Sequence, residues 1–375
     1  MKIAIISTVG GYSWAGSEEM WKLLALELLQ SGHKVAVWAN VAITSSEELV
    51  EFNRLGGKAF RLEPLNRLTR RTTNIGLLNR YRALTKWKPD LVCISVGAPA
   101  DPVWQPDLLK LINSLEVPLI MIVQGNAEGL VAGDCQRNLL GPIYTSARLV
   151  IFVSQQNANM LERQLAVSLP QATILSNPIR TRLPKPLPWP MQNPNEIRFA
   201  TVARFELIHK CQDHTLAAFS SSQWRERNWR LSFFGEGPDK RYLQDLIRHY
   251  GLSDKVDLCG YVRDFRKIWS NQHFHILNSH SEGLSLALIE SLFCGRPALV
   301  TRAGGNAELV RDGMEGFISP GMHPEIVAET LERAWVNRGY WEEMGRSGFL
   351  RAADWVKDDL GSRLKASVLD KAGHP

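Results

Sequence analysis

The stretch Ser279-His-Ser-Glu-Gly-Leu-Ser-Leu-Ala-Leu-Ile-Glu-Ser-Leu-Phe-Cys-Gly-Arg-Pro297 decides the reading of this chain. The apolar run Phe274-His-Ile-Leu-Asn278 before it predicts a strand. A turn follows at Glu282-Gly283. Then comes an apolar helix that stops at Gly295, with Pro297 two residues on, both of them stop signals. Glu282 and Glu290 stand eight residues apart. Glu290 falls mid-helix between Ile289 and Leu292-Phe293, and a carboxylate near such a surface is costly unless something donates hydrogen bonds to it. A carboxylate only accepts, so its natural partner is a pair of hydroxyls, such as a ribose diol. Glu282, in the turn above, sits at the mouth of any crevice there.

Outward from this stretch, strand-like and helix-like segments alternate. Lys2–Thr8, His33–Ala39, Leu91–Val96, Leu119–Val123 and Leu149–Val153 are short, nearly continuous apolar runs. Ser17–Gln30 reads as a helix, with Met20, Trp21, Leu24 and Leu28 on one face and Gly32 ending it. Residues 178 to 194 carry Pro178, Pro184, Pro186, Pro188, Pro190 and Pro194, which read as a semi-rigid linker. The pattern then restarts with Ile197–Ala203, Arg230–Phe234, Val256–Cys259, Phe274–Leu277 and Ala298–Thr301. Buried strands separated by helices indicate parallel βαβ units covered on both faces. The fold class is therefore α/β, with two doubly wound Rossmann-like domains: residues 1–178, a linker at 179–195, residues 196–348, and a helical tail at 349–375.

Composition sets the bounds. A chain of 375 residues is long enough for two ordinary domains, and 45% hydrophobic with 22% charged residues is ordinary for a soluble protein. No apolar run reaches the ~18–20 residues that span a bilayer. The N-terminal Met-Lys-Ile-Ala-Ile-Ile-Ser reads as a strand, too short for a signal peptide. Five scattered cysteines without a C-x-x-C pair read as reduced thiols of a cytoplasmic protein. The net charge is +6, and the excess concentrates between Arg61 and Lys88, where Arg61, Arg67, Arg70, Arg71, Arg80, Arg82, Lys86 and Lys88 face the single acid Glu63. That stretch is either a solvated face or a surface for an anionic partner, such as a membrane or a lipid-linked phosphate. With no zinc-finger spacing and no RNP-like strand, nucleic acid is not expected.

Other residues carry chemistry by position. Arg204 stands at the C-terminal end of the first strand of the second half, and Lys210 follows six residues on. Ligands of open α/β sheets bind beyond strand C-termini, so these two cations suit a diphosphate. The backbone N–H groups of Gly283, Leu284, Ser285 and Leu286, at a helix N-terminus, add donors for an anion. No D-x-D motif is present, so no metal is expected. Gly235-x-Gly237 lacks the third glycine of a dinucleotide fingerprint, since Lys240 stands there, and reads as a tight turn. His273 and His275 form an H-x-H pair with no third ligand at a metal-site spacing.

Taken in order, these segments resemble the retaining glycosyltransferases of family 4, also called glycosyl transferases group 1, in which glutamates spaced E-x7-E bind a nucleotide sugar. Ala203-Arg204-Phe205 with Lys210 is similar to the family's G-R-x5-K-G. Phe234-Gly-Glu-Gly-Pro238 is similar to its G-D-G-P turn, and Val256-Asp-Leu-Cys-Gly-Tyr-Val262 to its V-x-F-x-G-x-V. Gly304-Gly-Asn-Ala-Glu-Leu-Val-Arg-Asp-Gly-Met-Glu-Gly316 is similar to G-G-x-x-E-x-V-x-D-G-x-x-G. In the first half, Ala15-Gly-Ser-Glu18 and Ser176-Asn-Pro178 are similar to the family's G-G-x-E turn and N-P strand end.

The resemblance implies a GT-B architecture whose two domains face a central cleft, and a tail that crosses back to the first domain. It implies a hexosyltransferase-like, retaining, metal-independent enzyme. Arg204, Lys210 and Glu282 would be catalytic. Gly16, Val262, Asp264, Gly283, Leu284, Ser285, Leu286 and Glu290 would bind the donor. The partners it implies are a UDP- or GDP-linked sugar and a glycan or glycolipid acceptor, in bacterial polysaccharide or glycolipid synthesis, with the enzyme cytoplasmic or peripheral on the inner face of the plasma membrane. No cofactor is expected. The chain departs from the pattern at Ser285, where the family has a second glycine. It departs again at Val123-Gln-Gly-Asn-Ala-Glu128, where no histidine stands and Asn126 or Glu128 is the candidate to face the acceptor. Two rival readings remain: another GT-B enzyme such as a sugar-nucleotide epimerase, or a non-catalytic nucleotide-sugar-binding partner.

Overall fold

The computed structural model describes residues 1–10, 14, 16–62, 80–131, 133–179, 183–191, 196–356 and 359–373. Most of the basic stretch, including Arg67, Arg70 and Arg71, lies outside the described residues. The chain divides into two compact units, Met1–Pro178 with Asp358–Pro375, and Ile179–Lys357.

The first unit is built on a seven-stranded sheet of β1 (Lys2–Ser7), β2 (Lys34–Asn40), β3 (Lys58–Leu62), β4 (Leu91–Val96), β5 (Leu119–Val123), β6 (Leu149–Phe152) and β7 (Ala172–Ile174). Its order is β3-β2-β1-β4-β5-β6-β7, and neighbours pair in parallel. The second unit has six strands, β8 (Ile197–Val202), β9 (Trp229–Phe234), β10 (Val256–Gly260), β11 (Phe274–Leu277), β12 (Ala298–Thr301) and β13 (Gly316–Ser319), in the order β10-β9-β8-β11-β12-β13, again parallel. Parallel strands need helical crossovers, and these cover both faces, so the central strands are continuous apolar runs. β4, β5, β11 and β12 have every residue buried. Strand order reverses between β1 and β4, and again between β8 and β11. Each reversal opens a crevice beyond the strand C-termini.

The second core is aromatic. Phe199, Phe219, Trp224 and Trp341 are fully buried, or nearly so, and Phe199 meets the other three edge to face. Such pairs add about 0.5–1.5 kcal/mol each beyond the area they bury.

Two segments differ from the sequence expectation. Residues 183–191 form no helix or strand, yet they are fastened to the second unit by Arg296. This arginine is 1% exposed. Its guanidinium donates to the carbonyls of Pro188 (2.6 Å), Leu187 (3.4 Å), Cys294 (2.9 Å) and Trp269 (2.9 Å), and lies 5.3 Å from the Trp189 ring centroid. Prolines leave a segment rich in acceptors and poor in donors, and a guanidinium is donor-only, so the two match. Burial lowers the Arg296 pKa to about 10. The tail is two helices, Trp341–Trp355 and Leu360–Lys371. The first packs on the helix Leu286–Phe293 within the second unit. The second belongs to the first unit and packs on the helix Gly16–Gln30, where Lys365 Nζ donates to Glu27 (3.1 Å) and Ser31 (3.0 Å).

Candidate active site

The loops after β8 and β11, on the two sides of the crevice between them, carry Arg204, Lys210, Glu282, Gly283, Leu284, Ser285 and Leu286. After β8 the chain passes through Ala203-Arg204-Phe205, the short helix Leu207–Lys210 and then the helix Gln212–Phe219. After β11 it passes through Asn278–Ser285 into the helix Leu286–Phe293. Both loops are held from several sides. Ala203 N–H donates to Phe234 O (3.1 Å), Phe205 N–H to Glu236 O (3.1 Å), and Leu207 N–H to the Asp239 carboxylate (2.8 Å). Gln212, fully buried, donates its amide to Arg204 O (2.7 Å). Gly235 is required here: at φ 149, a Cβ would stand 2.0 Å from Ala203 O. Cys211 follows Lys210 in the left-handed region (φ 45), a conformation that usually falls to glycine, and ends the short helix there.

The geometry joins the two loops through charge. Lys210 Nζ donates to Glu282 Oε1 at 2.7 Å, and Ser279 Oγ donates to the same oxygen at 2.7 Å. Thr301 Oγ1 holds Ser279 O at 2.5 Å, and His280 N–H donates to His209 O at 2.9 Å. A third loop closes over the turn: Gly305 N–H donates to Gly283 O at 2.7 Å. Gly304, at φ 50, has no room for a side chain, since a Cβ would meet Gly283 O at 2.3 Å. Arg204 approaches Glu206 at 3.8 Å, with its side chain about a third exposed. The crevice thus presents two cations from one loop and a carboxylate from the next.

Ser285 takes the N-cap of the helix Leu286–Phe293, accepting from Leu288 N–H at 3.4 Å. A hydroxyl there satisfies a terminal N–H that glycine leaves open. Gly283 and Leu286 are half-buried, Leu284 is buried, and Glu290 is half-buried one turn into the helix. Val262 is half-buried and packs on the cluster of Phe265, Ile268, Trp269 and Cys294. Asp264 caps the next helix, accepting from Arg266 N–H (3.1 Å), Nε (2.8 Å) and Nη2 (3.0 Å). The Arg266 hydrogen bond holds its carboxyl below the usual range. Gly16 lies in the first unit, as the first residue of its helix. His273 and His275 have separate partners. His273 accepts from Arg198 N–H at 3.0 Å, while His275, fully buried, meets Ser291 Oγ at 2.9 Å.

Sequence reasoning missed Gln212, Ser279, Thr301 and Asp239. Ser279 had a signal. Ser279-His-Ser-Glu282 is an S-x-x-E spacing, which places a hydroxyl within reach of a carboxylate three residues on.

An all-parallel two-sheet chain with this anion-suited crevice has the GT-B fold of nucleotide-sugar-dependent glycosyltransferases. Residues 190–350 match the family model of the glycosyl transferases group 1. Over its whole length it is similar in fold to sucrose-phosphate synthase from Thermosynechococcus elongatus, with a TM-score of 0.74 and 17% identity over 97% of each chain. Anabaena HepE, solved in complex with UDP-glucose, superposes with a TM-score of 0.72 at 16% identity, covering 99% of this chain and 98% of HepE. By sequence, the chain is 31% identical over 161 residues to an exopolysaccharide phosphotransferase of Streptomyces coelicolor. That match covers 42% of this chain and 16% of the relative's length.

Proposed function

We propose that this protein moves a hexosyl group from a nucleoside-diphosphate sugar to a hydroxyl of a glycan or glycolipid, with retention at the anomeric carbon and without a metal. The observation that carries the reading is the meeting of Lys210 and Glu282 at the β8/β11 crevice, with Arg204 on the same loop. In the transfer, the bond between the anomeric carbon and the diphosphate oxygen breaks and a bond to the acceptor oxygen forms. The acceptor proton passes to the leaving diphosphate. Arg204 and Lys210 stabilise the charge that grows on that group. The N–H groups of Gly283, Leu284, Ser285 and Leu286 face the same anion from a helix N-terminus. Glu290 accepts from the ribose hydroxyls, and Glu282 orients the sugar. Val262 and Asp264 lie toward the base; since the Asp264 carboxylate is committed to Arg266, that contact runs through backbone groups.

A UDP-linked donor is the first choice, because HepE is known with UDP-glucose. The first unit receives the acceptor, and its Gly16 contributes to donor binding. The basic stretch Arg61–Lys88 suits a lipid-linked acceptor on an anionic, cytoplasmic membrane surface, and no described helix is long and apolar enough to cross one. Bacterial polysaccharide or glycolipid assembly fits that combination.

The test is a thermal-shift screen of UDP-, GDP- and ADP-glucose, followed by product analysis of any donor that stabilises the chain. Release of nucleoside diphosphate, with an axial linkage from an axial donor, is the expected result. Release of nucleoside monophosphate would mean transfer of a sugar phosphate, and an epimerised donor without transfer would mean an epimerase. Either result overturns the reading, as does turnover abolished by EDTA and restored by magnesium or manganese.

A further inference from the structure

The helix Trp341–Trp355 reaches the loops beside the β8/β11 crevice through a side chain that the roles above leave unused. Arg351, half-buried, donates from Nη2 to Glu308 O at 2.8 Å, and its guanidinium lies 5.7 Å from the Trp355 ring centroid. Glu308 belongs to the one-turn helix Asn306–Leu309, which follows β12. So short a helix leaves its last carbonyls without intrahelical partners. A guanidinium is donor-only and always charged, so it suits that end. The helix Trp341–Trp355 also packs on Leu286–Phe293, and so closely at Gly345 that a Cβ there would stand 2.0 Å from Gly295 O.

From Glu308 the hydrogen bonds run on toward the donor turn. Glu308 N–H donates to Gly305 O at 3.0 Å, and Gly305 N–H donates to Gly283 O at 2.7 Å. The Gly283 carbonyl and the Leu284 N–H share one planar trans peptide and point opposite ways. Whatever holds Gly283 O therefore sets the direction of Leu284 N–H, one of the groups assigned above to the diphosphate. Arg351, Glu308, Gly305, Gly283 and Leu284 all lie in the second unit.

We propose that Arg351 is a positioning residue for sugar transfer: it braces residues 304–309 so that the Leu284 N–H stays aimed at the leaving diphosphate. This rests on the glycosyl-transfer reading. Arg351 acts only through two carbonyls, Glu308 O and Gly283 O, and the peptide plane beyond them. Without the guanidinium, Glu308 O loses a charged partner, the one-turn helix loosens, and Gly305 N–H holds the plane less firmly. A preorganised N–H acts most on charge that grows in the transition state, so kcat should change more than KM.

The experiment uses the full chain with Arg351→Met, Arg351→Lys and Arg351→Ala. Amide hydrogen exchange without ligand is compared for residues 281–290, for residues 303–310 and, as a control in the same unit, for residues 229–234. Consumption of UDP-glucose is measured well below the unfolding temperature. In Arg351→Met, exchange should rise in the first two segments and stay unchanged in the control. Its kcat should fall about 10- to 100-fold, the range for a misplaced group beside the chemistry, with KM little changed. Arg351→Lys should recover part of the loss, and millimolar guanidinium chloride should restore Arg351→Ala where sodium chloride does not. Wild-type kcat in Arg351→Met, in an active protein, would overturn this inference alone. So would exchange raised equally in all three segments with no rescue by guanidinium, the mark of a merely structural arginine. If the wild type consumes none of UDP-, GDP- and ADP-glucose, the glycosyl-transfer reading fails and the positioning role falls with it.

Discussion

Lys210 cannot serve a diphosphate and Glu282 at full strength together. The two groups are 2.7 Å apart, with side chains 21% and 8% exposed, so the pair is only partly screened. A hydrogen bond to a charged group contributes about 1.5–3 kcal/mol. If a diphosphate binds Lys210 as proposed, it draws the ammonium away from this bond, and part of the bond's energy is subtracted from donor affinity. Ser279 Oγ, on the same oxygen, remains to hold the carboxylate while the lysine is engaged. Glu282→Gln removes the competitor and a neighbouring negative charge. Free UDP should therefore bind about tenfold tighter, ~1.4 kcal/mol, while sugar transfer falls sharply. The cycle with Lys210→Met distinguishes exchange from general electrostatics. If Lys210 is exchanged between the two anions, it should contribute more to UDP binding in the Glu282→Gln background, with a coupling of about 1–3 kcal/mol. Titration calorimetry on the four proteins, with GDP or ADP if UDP does not bind, measures this. Weaker nucleotide binding by Glu282→Gln, or strictly additive effects, would refute the exchange.

Arg204→Ala and Lys210→Ala should each lower turnover by about 10²–10³ with little change in urea midpoint, and near-normal turnover in either removes that cation from the diphosphate site. Glu290→Gln should weaken nucleotide binding by about 1.5–3 kcal/mol, and an unchanged dissociation constant would make Glu290 a structural residue. Burial lowers the pKa of His275 to about 3 and that of His273 to about 4, both below the ordinary 6.5. Their stabilisation is complete above pH 6.5. As pH falls below that value the unfolded chain takes up protons that the native state refuses, so each group costs up to about 1.4 kcal/mol per pH unit until its own folded value is reached. Urea midpoints at pH 7.5, 6 and 5 should fall, less steeply in His275→Asn, and a flat profile would contradict the burial. The wild type should bind anionic vesicles at low salt and release them at high salt, and the triple change of Arg67, Arg70 and Arg71 to Glu should abolish that binding; a wild type that ignores such vesicles leaves the stretch a solvated face.

The crevice of the second unit was legible because its residues follow strand ends, and strands buried on both faces announce themselves as apolar runs. β3 and β7 were not legible, because each is an edge strand with no continuous apolar run, as in Lys58-Ala-Phe-Arg-Leu62. β13 has only Phe317 and Ile318 as apolar residues, too few for a period. The Lys210–Glu282 bond joins residues 72 positions apart, and no local pattern encodes a pairing set by which strands become neighbours. The proline-rich segment read as a spacer because its composition describes the isolated chain; the anchor, Arg296, lies more than a hundred positions on. Ser285 stood out only as a departure from the family's second glycine, and the cap it forms became visible only once the helix start was known.

The return of Leu360–Lys371 to the first unit also bears on synthesis. The second unit is an insertion: its residues emerge from the ribosome before the first unit has its last helix. Lys365 and Glu27, 338 positions apart, can meet only after the whole second unit has been made. Domains fold as units during translation. Here the downstream unit can finish first, while the amino-terminal sheet waits with one helix face uncovered. That interval is when the helix face carrying Glu27 and Ser31 is open to chaperones or to another nascent chain.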